Sequence, residues 1–318
     1  MDDTGDFDLL FLNITKKVIL IALFTIPFFG FFGNICIIIA AINNKTFHNK
    51  CGYLIANLSF WHTIMLIFEF FSGIRILIGI NEMKRYKCFY MIMLHLFSSF
   101  MSKWLMLGIA IDRLLAILIP VNHKAWNNLI YCIIISIPGL LFSLTIIILQ
   151  IILADDQTIK VCNPISCINS KIKSIYLYIV LGISLSTIII YSLIFLFLFK
   201  KGIRKFKKDF LSLSTQKEMA ITLALNSIFF VLSTFIGYFI PVLVHLFSLS
   251  NTIKESFEAL VVILILIPAS CTYYLLFWRA RLYRKAFKNQ LVCQRCFHNT
   301  RRQQTNGSNI RPTHSKYI

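Results

Sequence analysis

Seven long runs of apolar residues limit what this chain can fold into. Each run has about the 20 residues that an α helix needs to cross the hydrocarbon layer of a bilayer. A backbone exposed to lipid must satisfy its hydrogen bonds within the segment, so the runs predict α helices. We therefore expect an all-α membrane protein, a seven-transmembrane helix bundle with a short amphipathic helix after the seventh span. The runs cover approximately residues 18–42, 53–79, 88–119, 129–153, 175–199, 219–248 and 256–278.

Charged residues are few and unevenly placed. They make up 14% of the 318 residues, against about 25% in soluble domains. The net charge of +19 would suit a nucleic-acid partner, but the basic residues cluster at 200–209 and from Arg279 onward, beside the ends of apolar runs. Such clusters are typical of cytoplasmic segments, and they attract anionic lipid. We expect membrane lipid as a partner, and no nucleic acid.

An odd number of spans places the two termini on opposite sides of the membrane. Most Lys and Arg residues lie on the side of the C-terminus, which predicts a plasma-membrane protein with its N-terminus outside. The expected divisions are an extracellular tail (1–17), a transmembrane domain (18–278) and a cytoplasmic amphipathic helix with a basic tail (279–318). In the outer tail, Asn13 opens an Asn-Ile-Thr sequon and is a candidate glycosylation site.

Two charged neighbours, Asp112 and Arg113, stand near the end of the third run, in "GIAIDRLLAILIP" (108–120). If the helix starts at Cys88 on the outer surface, Arg113 lies roughly 37 Å along it. That distance exceeds the hydrocarbon thickness of about 30 Å, so both charges are expected at the cytoplasmic interface. An arginine that snorkels to the lipid headgroups is one interpretation.

The spacing favours a second interpretation. Seven spans, a cysteine at the outer end of the third and Asp-Arg at its inner end resemble the rhodopsin-like G-protein-coupled receptors. In that family the motif is usually Asp-Arg-Tyr, and its Arg holds the resting state before it contacts the G protein. Here Leu114 replaces the Tyr. The resemblance implies a switch role for Asp112 and Arg113.

Further motifs of the family have counterparts. Asn34 resembles the first-helix Asn, and we expect this buried amide to bond the first helix to the second and seventh. Asn57, in "NLSFWH", resembles the second-helix Asn. The remaining residues to which the resemblance gives switch roles lie in the fifth, sixth and seventh spans: Tyr191, Phe235, Phe239, Pro241 and Pro268.

Some positions depart from the family pattern. His62 stands where most members have a sodium-binding Asp, which argues against sodium modulation. In the seventh span Ile267 and Cys271 replace the usual Asn and Tyr. Taken together, the motifs resemble most closely the nematode serpentine chemoreceptors of class Srsx, over about residues 18–290. That resemblance implies a sensory-neuron receptor for an external ligand and a heterotrimeric G protein as its partner.

The resemblance also implies a disulfide between Cys88 and the second outer loop. Cys162 is the preferred partner, and Cys167 is the alternative. After the amphipathic helix, Cys293 and Cys296 form a Cys-x-x-Cys that is a candidate for palmitoylation, with unmodified thiols as the alternative. Half a zinc site has the same spacing, but no second pair completes it. We expect no metal and no cofactor.

Ionisable and polar side chains at membrane depth predict functional sites. An outer pocket could converge on five of them, although hydrogen bonds between helices would also explain each one. His95 lies where amine receptors have an Asp, which argues against a biogenic amine ligand. Lys103 lies deeper, and we expect it to snorkel or to pair within the bundle. The candidate ligand-binding residues are Glu69, His95, Tyr238, His245 and Glu258.

These features favour a G-protein-coupled receptor, a chemosensory receptor for an external small molecule or peptide, over two alternatives. A transporter or channel is disfavoured because the sequence has no internal repeat and only 12 Gly residues. A non-signalling membrane partner stays open because the seventh-helix motif is degenerate. Nothing in the sequence pairs a nucleophile with a base, so we expect no enzyme activity.

Overall fold

In the described residues, the fold is all-α apart from one two-stranded antiparallel sheet. The computed structural model describes residues 3–80, 82–159, 162–164, 166–204, 218, 221–233, 235–237, 239 and 251–291. Its helices are α1 (Asp3–Asn43), α2 (Lys50–Ile78), α3 (Arg85–Leu118), α4 (Pro120–Ala125), α5 (Asn128–Ile152), α6 (Ser170–Arg204), α7 (Ile221–Gly237), α8 (Asn251–Arg279) and α9 (Arg281–Leu291). A 3-10 turn (Lys45–Phe47) joins α1 to α2, and strands β1 (Met83–Lys84) and β2 (Thr158–Ile159) pair in antiparallel register.

The predicted all-α membrane class is confirmed. In the described part of the chain, α1, α2, α5, α6 and α8 are long and apolar enough to cross a membrane. Helix α3 has 34 residues, but its His, Ser and Lys side chains lower its mean hydropathy. It can hold these polar groups because it packs against α2, α5 and α6 in the centre of the bundle. Helix α7 is described over a shorter apolar stretch.

Helix α1 begins earlier than expected. The sequence predicted a tail up to residue 17, but the helix starts at Asp3 and its apolar spanning part is Asn13–Asn43. Between Gly5 and Pro27 the chain has neither Gly nor Pro, so nothing interrupts the backbone hydrogen bonds of the helix.

Helix α3 packs closely against α5 through a glycine. A Cβ added at Gly139 would lie 2.6 Å from the Trp104 ring. The Trp104 indole Nε1 donates to the Ile135 carbonyl at 2.7 Å, so its polar end is satisfied against the same helix. On the other side, α5 exposes large apolar residues such as Ile133, Ile134 and Leu141, as a lipid-facing surface does. Because Gly139 has no side chain, α3 can approach α5 this closely.

One end of α3 is attached covalently to the loop that follows α5. Cys88 and Cys162 form a disulfide with 5.6 Å between their Cα atoms, which confirms the preferred pairing. Arg85 and Asp155 add an ion pair at 2.5 Å beside the two-stranded sheet. Cys167 is a buried free cysteine, and burial raises the pKa of its thiol to about 12. It is therefore a protonated, apolar filler in this loop.

Candidate functional site

The end of α3 opposite the disulfide holds a buried carboxylate between two basic side chains. The Asp112 side chain is fully buried. Arg113 Nε donates to its Oδ2 at 2.9 Å, and a second guanidinium nitrogen donates to the same oxygen. His123 Nε2 donates to the other oxygen, Oδ1, at 2.8 Å. Both carboxylate oxygens are thus engaged, and the Arg113 side chain is folded back onto its neighbour.

His123 reaches Asp112 because α4 follows α3 almost directly. Pro120 occupies the first turn of α4, where its missing N–H leaves no bond unmade. The His123 ring then packs edge-on against Tyr131, with 5.6 Å between ring centroids. Trp126 stacks on the same Tyr and also contacts the His123 ring. These aromatic contacts hold the imidazole against the carboxylate.

A cavity of about 610 Å³ opens beside Arg113. Its walls come from the 3-10 turn, α2, α3, α4, α5 and α9, and they include Lys50, His123 and Lys124. Lys50 is almost fully buried, and its Nζ donates to Asn128 Oδ1 at 3.2 Å. The walls are rich in basic groups, and they include Arg113 and His123, the two partners of Asp112. This arrangement can receive an acidic or polar segment of another molecule.

Helix α9 closes another side of the same cavity. Phe287 and Tyr283 are buried, whereas the basic residues of α9 mostly face outward. Phe287 packs on Tyr273 of α8 with 4.5 Å between centroids, and Tyr283 stacks on Phe47 at 4.3 Å. Burial raises the pKa of the Tyr283 hydroxyl. Aromatic contacts therefore dock the predicted amphipathic helix against the bundle.

Two asparagines form hydrogen bonds between helices. Asn34 Nδ2 donates to the Ala269 carbonyl at 3.1 Å, which bonds α1 to α8 as expected. Its Oδ1 has no partner in the part of the chain that the structure describes, so the expected bond to α2 is not observed. Asn57 Nδ2 donates to Ser136 Oγ at 3.2 Å and bonds α2 to α5.

A comparison with known families decides the identity. The model of the family described as serpentine type 7TM GPCR chemoreceptor Srsx matches residues 27–291, which include both ends of α3 and all of α9. The chain belongs to the Srsx family. The resemblance of its motifs is therefore confirmed, and the family is one of receptors. No curated protein matches the chain.

At the disulfide end of this Srsx chain, two of the five candidate ligand-binding residues meet. His95 Nδ1 lies 3.4 Å from Glu69 Oε1 and 3.3 Å from the Met65 carbonyl. Glu69 and His95 are 3% and 4% exposed, so each is the other's partner inside the bundle. Nearby, Arg75 donates to Cys162 Sγ at 3.0 Å. The pair forms a buried polar contact between α2 and α3.

The other candidate ligand-binding and modification sites are less completely described. Tyr238 and His245 lie outside the described residues, and Glu258 is on α8 with its side chain outside them. Cys293 and Cys296 also lie outside them. The structure therefore brings together only Glu69 and His95 of this set. Asn13 is exposed on α1.

The candidate switch residues of the Srsx chain are divided between interior and surface. Tyr191 is buried on α6, within electrostatic reach of Arg113. Phe235 and Phe239 stack on each other at 5.7 Å but are 53% and 47% exposed, so both rings lie on the surface and not in the interior. Pro268 lies inside α8, where its carbonyl accepts from Thr272 Oγ1 at 3.4 Å. Pro241 lies outside the described residues.

Sequence reasoning missed two contributors to the Asp112 end. His123 lies 11 residues after Asp112, and its signal was its place one turn after Pro120 at the start of a new helix. Tyr273 supplies the aromatic ring against α9, two residues after Cys271, which had been aligned with the family's Tyr. The available signal was the Tyr273-Tyr274 pair together with Phe287 in the amphipathic helix, which indicates an aromatic contact between α8 and α9.

Proposed function

We propose that this Srsx chain is a chemosensory receptor of the plasma membrane that signals to a heterotrimeric G protein. Its N-terminus and the Cys88–Cys162 disulfide would lie outside, because disulfides form on the oxidising side of the membrane. The Asp112 end would then face the cytoplasm. The basic residues of α9 and of residues 200–209 support this orientation.

The observation that carries the proposal is the hydrogen-bonded group of Asp112, Arg113 and His123. In this arrangement the Arg113 guanidinium is bonded to Asp112, at the wall of the adjacent cavity. While that bond holds, the guanidinium is not free to bind a partner that enters the cavity. An external ligand with different affinities for two bundle packings would shift the population toward the packing it binds better. In the second packing, Arg113 leaves Asp112 and contacts the G protein.

The ligand site belongs at the opposite end of the bundle. Glu69 and His95 supply one acceptor and one ring that can donate, and Tyr238, His245 and Glu258 would complete the site. A small molecule or peptide with hydrogen-bonding groups fits this set. Glycosylation at Asn13 and palmitoylation at Cys293 and Cys296 complete the proposed surface chemistry.

The experiment is G-protein activation in membranes from cells that express several G-protein classes. We compare wild type with Arg113→Ala and Asp112→Asn, using an odorant and peptide panel and matched surface expression. Arg113→Ala should abolish basal and evoked activation, and Asp112→Asn should raise the basal level because the guanidinium loses its charged partner. Arg281→Ala is the control, since Arg281 is exposed and pairs only with Glu218 on the surface.

Different results separate the candidate functions. Equal activation by wild type and Arg113→Ala would contradict the role of Arg113. Silence of every variant, with the receptor at the cell surface, would favour the non-signalling membrane partner. Ligand-dependent flux of a solute would favour a transporter.

A further inference from the structure

Lys103 places a charged group in the middle of the bundle. Its side chain is 4% exposed, and Nζ donates to the carbonyl oxygen of Ser99 at 3.3 Å and to its hydroxyl oxygen at 2.5 Å. Both acceptors are neutral and lie one turn back on α3. An ammonium has three N–H donors, so these two bonds leave one donor over. They also leave the positive charge unbalanced.

The interior carboxylates do not supply the missing charge. Glu69 is paired with His95 at 3.4 Å, and both oxygens of Asp112 are bonded to Arg113 and His123. Among the side chains that the structure describes, no carboxylate forms an ion pair with Lys103. Isolated charges at membrane depth are costly and call for a counter-charge.

A second buried base lies close by and offers Lys103 no counter-charge. His62 is fully buried on α2 and lies within electrostatic reach of Lys103. Neither ring nitrogen of His62 has a hydrogen-bond partner within the described parts of the chain. The middle of the bundle thus contains two basic groups and no free acid among the described residues.

A small cavity adjoins the ammonium. It measures about 10 Å³ and lies between α3, α6 and α7. Ser184 and Ser227 bring buried hydroxyl groups to its walls beside Lys103. Thr187 also lines it, but its hydroxyl donates to the Ile183 carbonyl at 2.8 Å, and the other walls are apolar. This volume corresponds to about one water-sized particle. Phosphate and carboxylate ligands are too large for it.

We propose that this cavity binds a small monovalent anion, chloride under cellular conditions. The anion accepts from the free N–H of Lys103 and from hydroxyl groups on α6 and α7, and it balances the charge that no carboxylate reaches. A water molecule would fill the space without balancing the charge. Because the site draws on three helices, the anion would link α3 to α6 and α7 and favour the packing that keeps all three together.

The test measures the thermal unfolding temperature of the purified full-length receptor in neutral-lipid nanodiscs. Sodium chloride is replaced stepwise by sodium gluconate at constant ionic strength. The wild type should show a saturable rise in Tm with chloride, of about 3 °C, and bromide should act in the same way. Lys103→Met should lose this dependence while still folding, because Met has a similar length and needs no counter-charge.

Serine variants on α6 provide a matched pair. Ser184→Ala removes a hydroxyl from the cavity wall and should weaken the chloride effect several-fold. Ser186→Ala should leave it unchanged, since Ser186 is exposed and donates to Gly182 of its own helix. If Lys103→Met fails to fold, Ser184→Ala compared with Ser186→Ala gives the same discrimination. These measurements do not depend on signalling, so they are independent of the proposed receptor function.

Two outcomes would overturn the proposal. Equal Tm values of the wild type in chloride and gluconate would mean that water alone occupies the cavity. A chloride effect that persists in both Lys103→Met and Ser184→Ala would mean that the anion acts at another site.

Discussion

At its first turn α3 is held by a covalent bond, whereas at its last turns it is held by hydrogen bonds between charged side chains. Cys88 is fixed to Cys162, with Arg85 and Asp155 beside it. At the other end, Asp112 is held by Arg113 and His123 next to a large cavity. The disulfide cannot change partners without redox chemistry, whereas the hydrogen bonds of Asp112 can break and re-form with other partners. We therefore expect α3 to move more at its Asp112 end than at its disulfide end.

The largest effect should come from breaking the covalent end. Cys88→Ala or Cys162→Ala opens a bridge between residues 74 apart in the sequence, and loss of a native disulfide costs about 2–5 kcal/mol. We expect both variants to lose surface expression and to unfold at lower temperature. Cys167→Ala should have a small effect because its thiol is free. If Cys167→Ala behaved like Cys88→Ala, the pairing would be wrong.

An intermediate effect should come from the middle of α3, which separates the two ends. Gly139→Val forces a side chain into Trp104, and overpacking of this kind costs about 1–3 kcal/mol. Gly182→Val is the matched control on α6, because a Cβ at Gly182 meets no atom within 4 Å. Thermal unfolding in detergent compares the two variants. Equal losses of stability would show that α3 and α5 do not depend on their close contact.

The smallest effect on stability should come from the exchangeable end. His123→Ala removes one hydrogen bond to Asp112. Water in the nearby cavity can replace it, so the net cost should be about 0.5 kcal/mol. We expect little change in Tm but a raised basal G-protein activation, because Asp112 holds Arg113 less firmly. His48→Ala, at an exposed His that bonds only to a backbone oxygen, is the control. Unchanged basal activation in His123→Ala would contradict a holding role for this residue.

The features that follow from local pattern were predictable from the sequence. Apolar runs of spanning length predicted the helices, since a lipid-facing backbone has few alternatives. Asn34 could be assigned a role because a buried amide must find a partner, and it does so at Ala269. Cys88 and Cys162 followed from the resemblance to a family. Each of these inferences uses one segment or one motif at a time.

The features that depend on contacts between segments were not predictable. His123 reaches Asp112 only because α4 follows α3 almost directly. Lys50 of α2 bonds to Asn128 of α5, which is 78 residues away in the sequence. Phe235 and Phe239 matched a motif of switch residues, and the structure shows their rings stacked on each other at the surface. The start of α1 was placed too late, because hydropathy marks the bilayer and not the end of the helix.

The disulfide also makes part of the chain a closed ring. Residues 88–162 contain α3, α4 and α5, and both ends of this stretch meet at one sulfur–sulfur bond. The exposed turn around Val121 lies within the ring, far from the bond. A protease that cut the chain there would open the ring without separating the two pieces, and they would come apart only when the bond was reduced. Two spans of the bundle, α3 and α5, are thus protected against dissociation by a single disulfide bond.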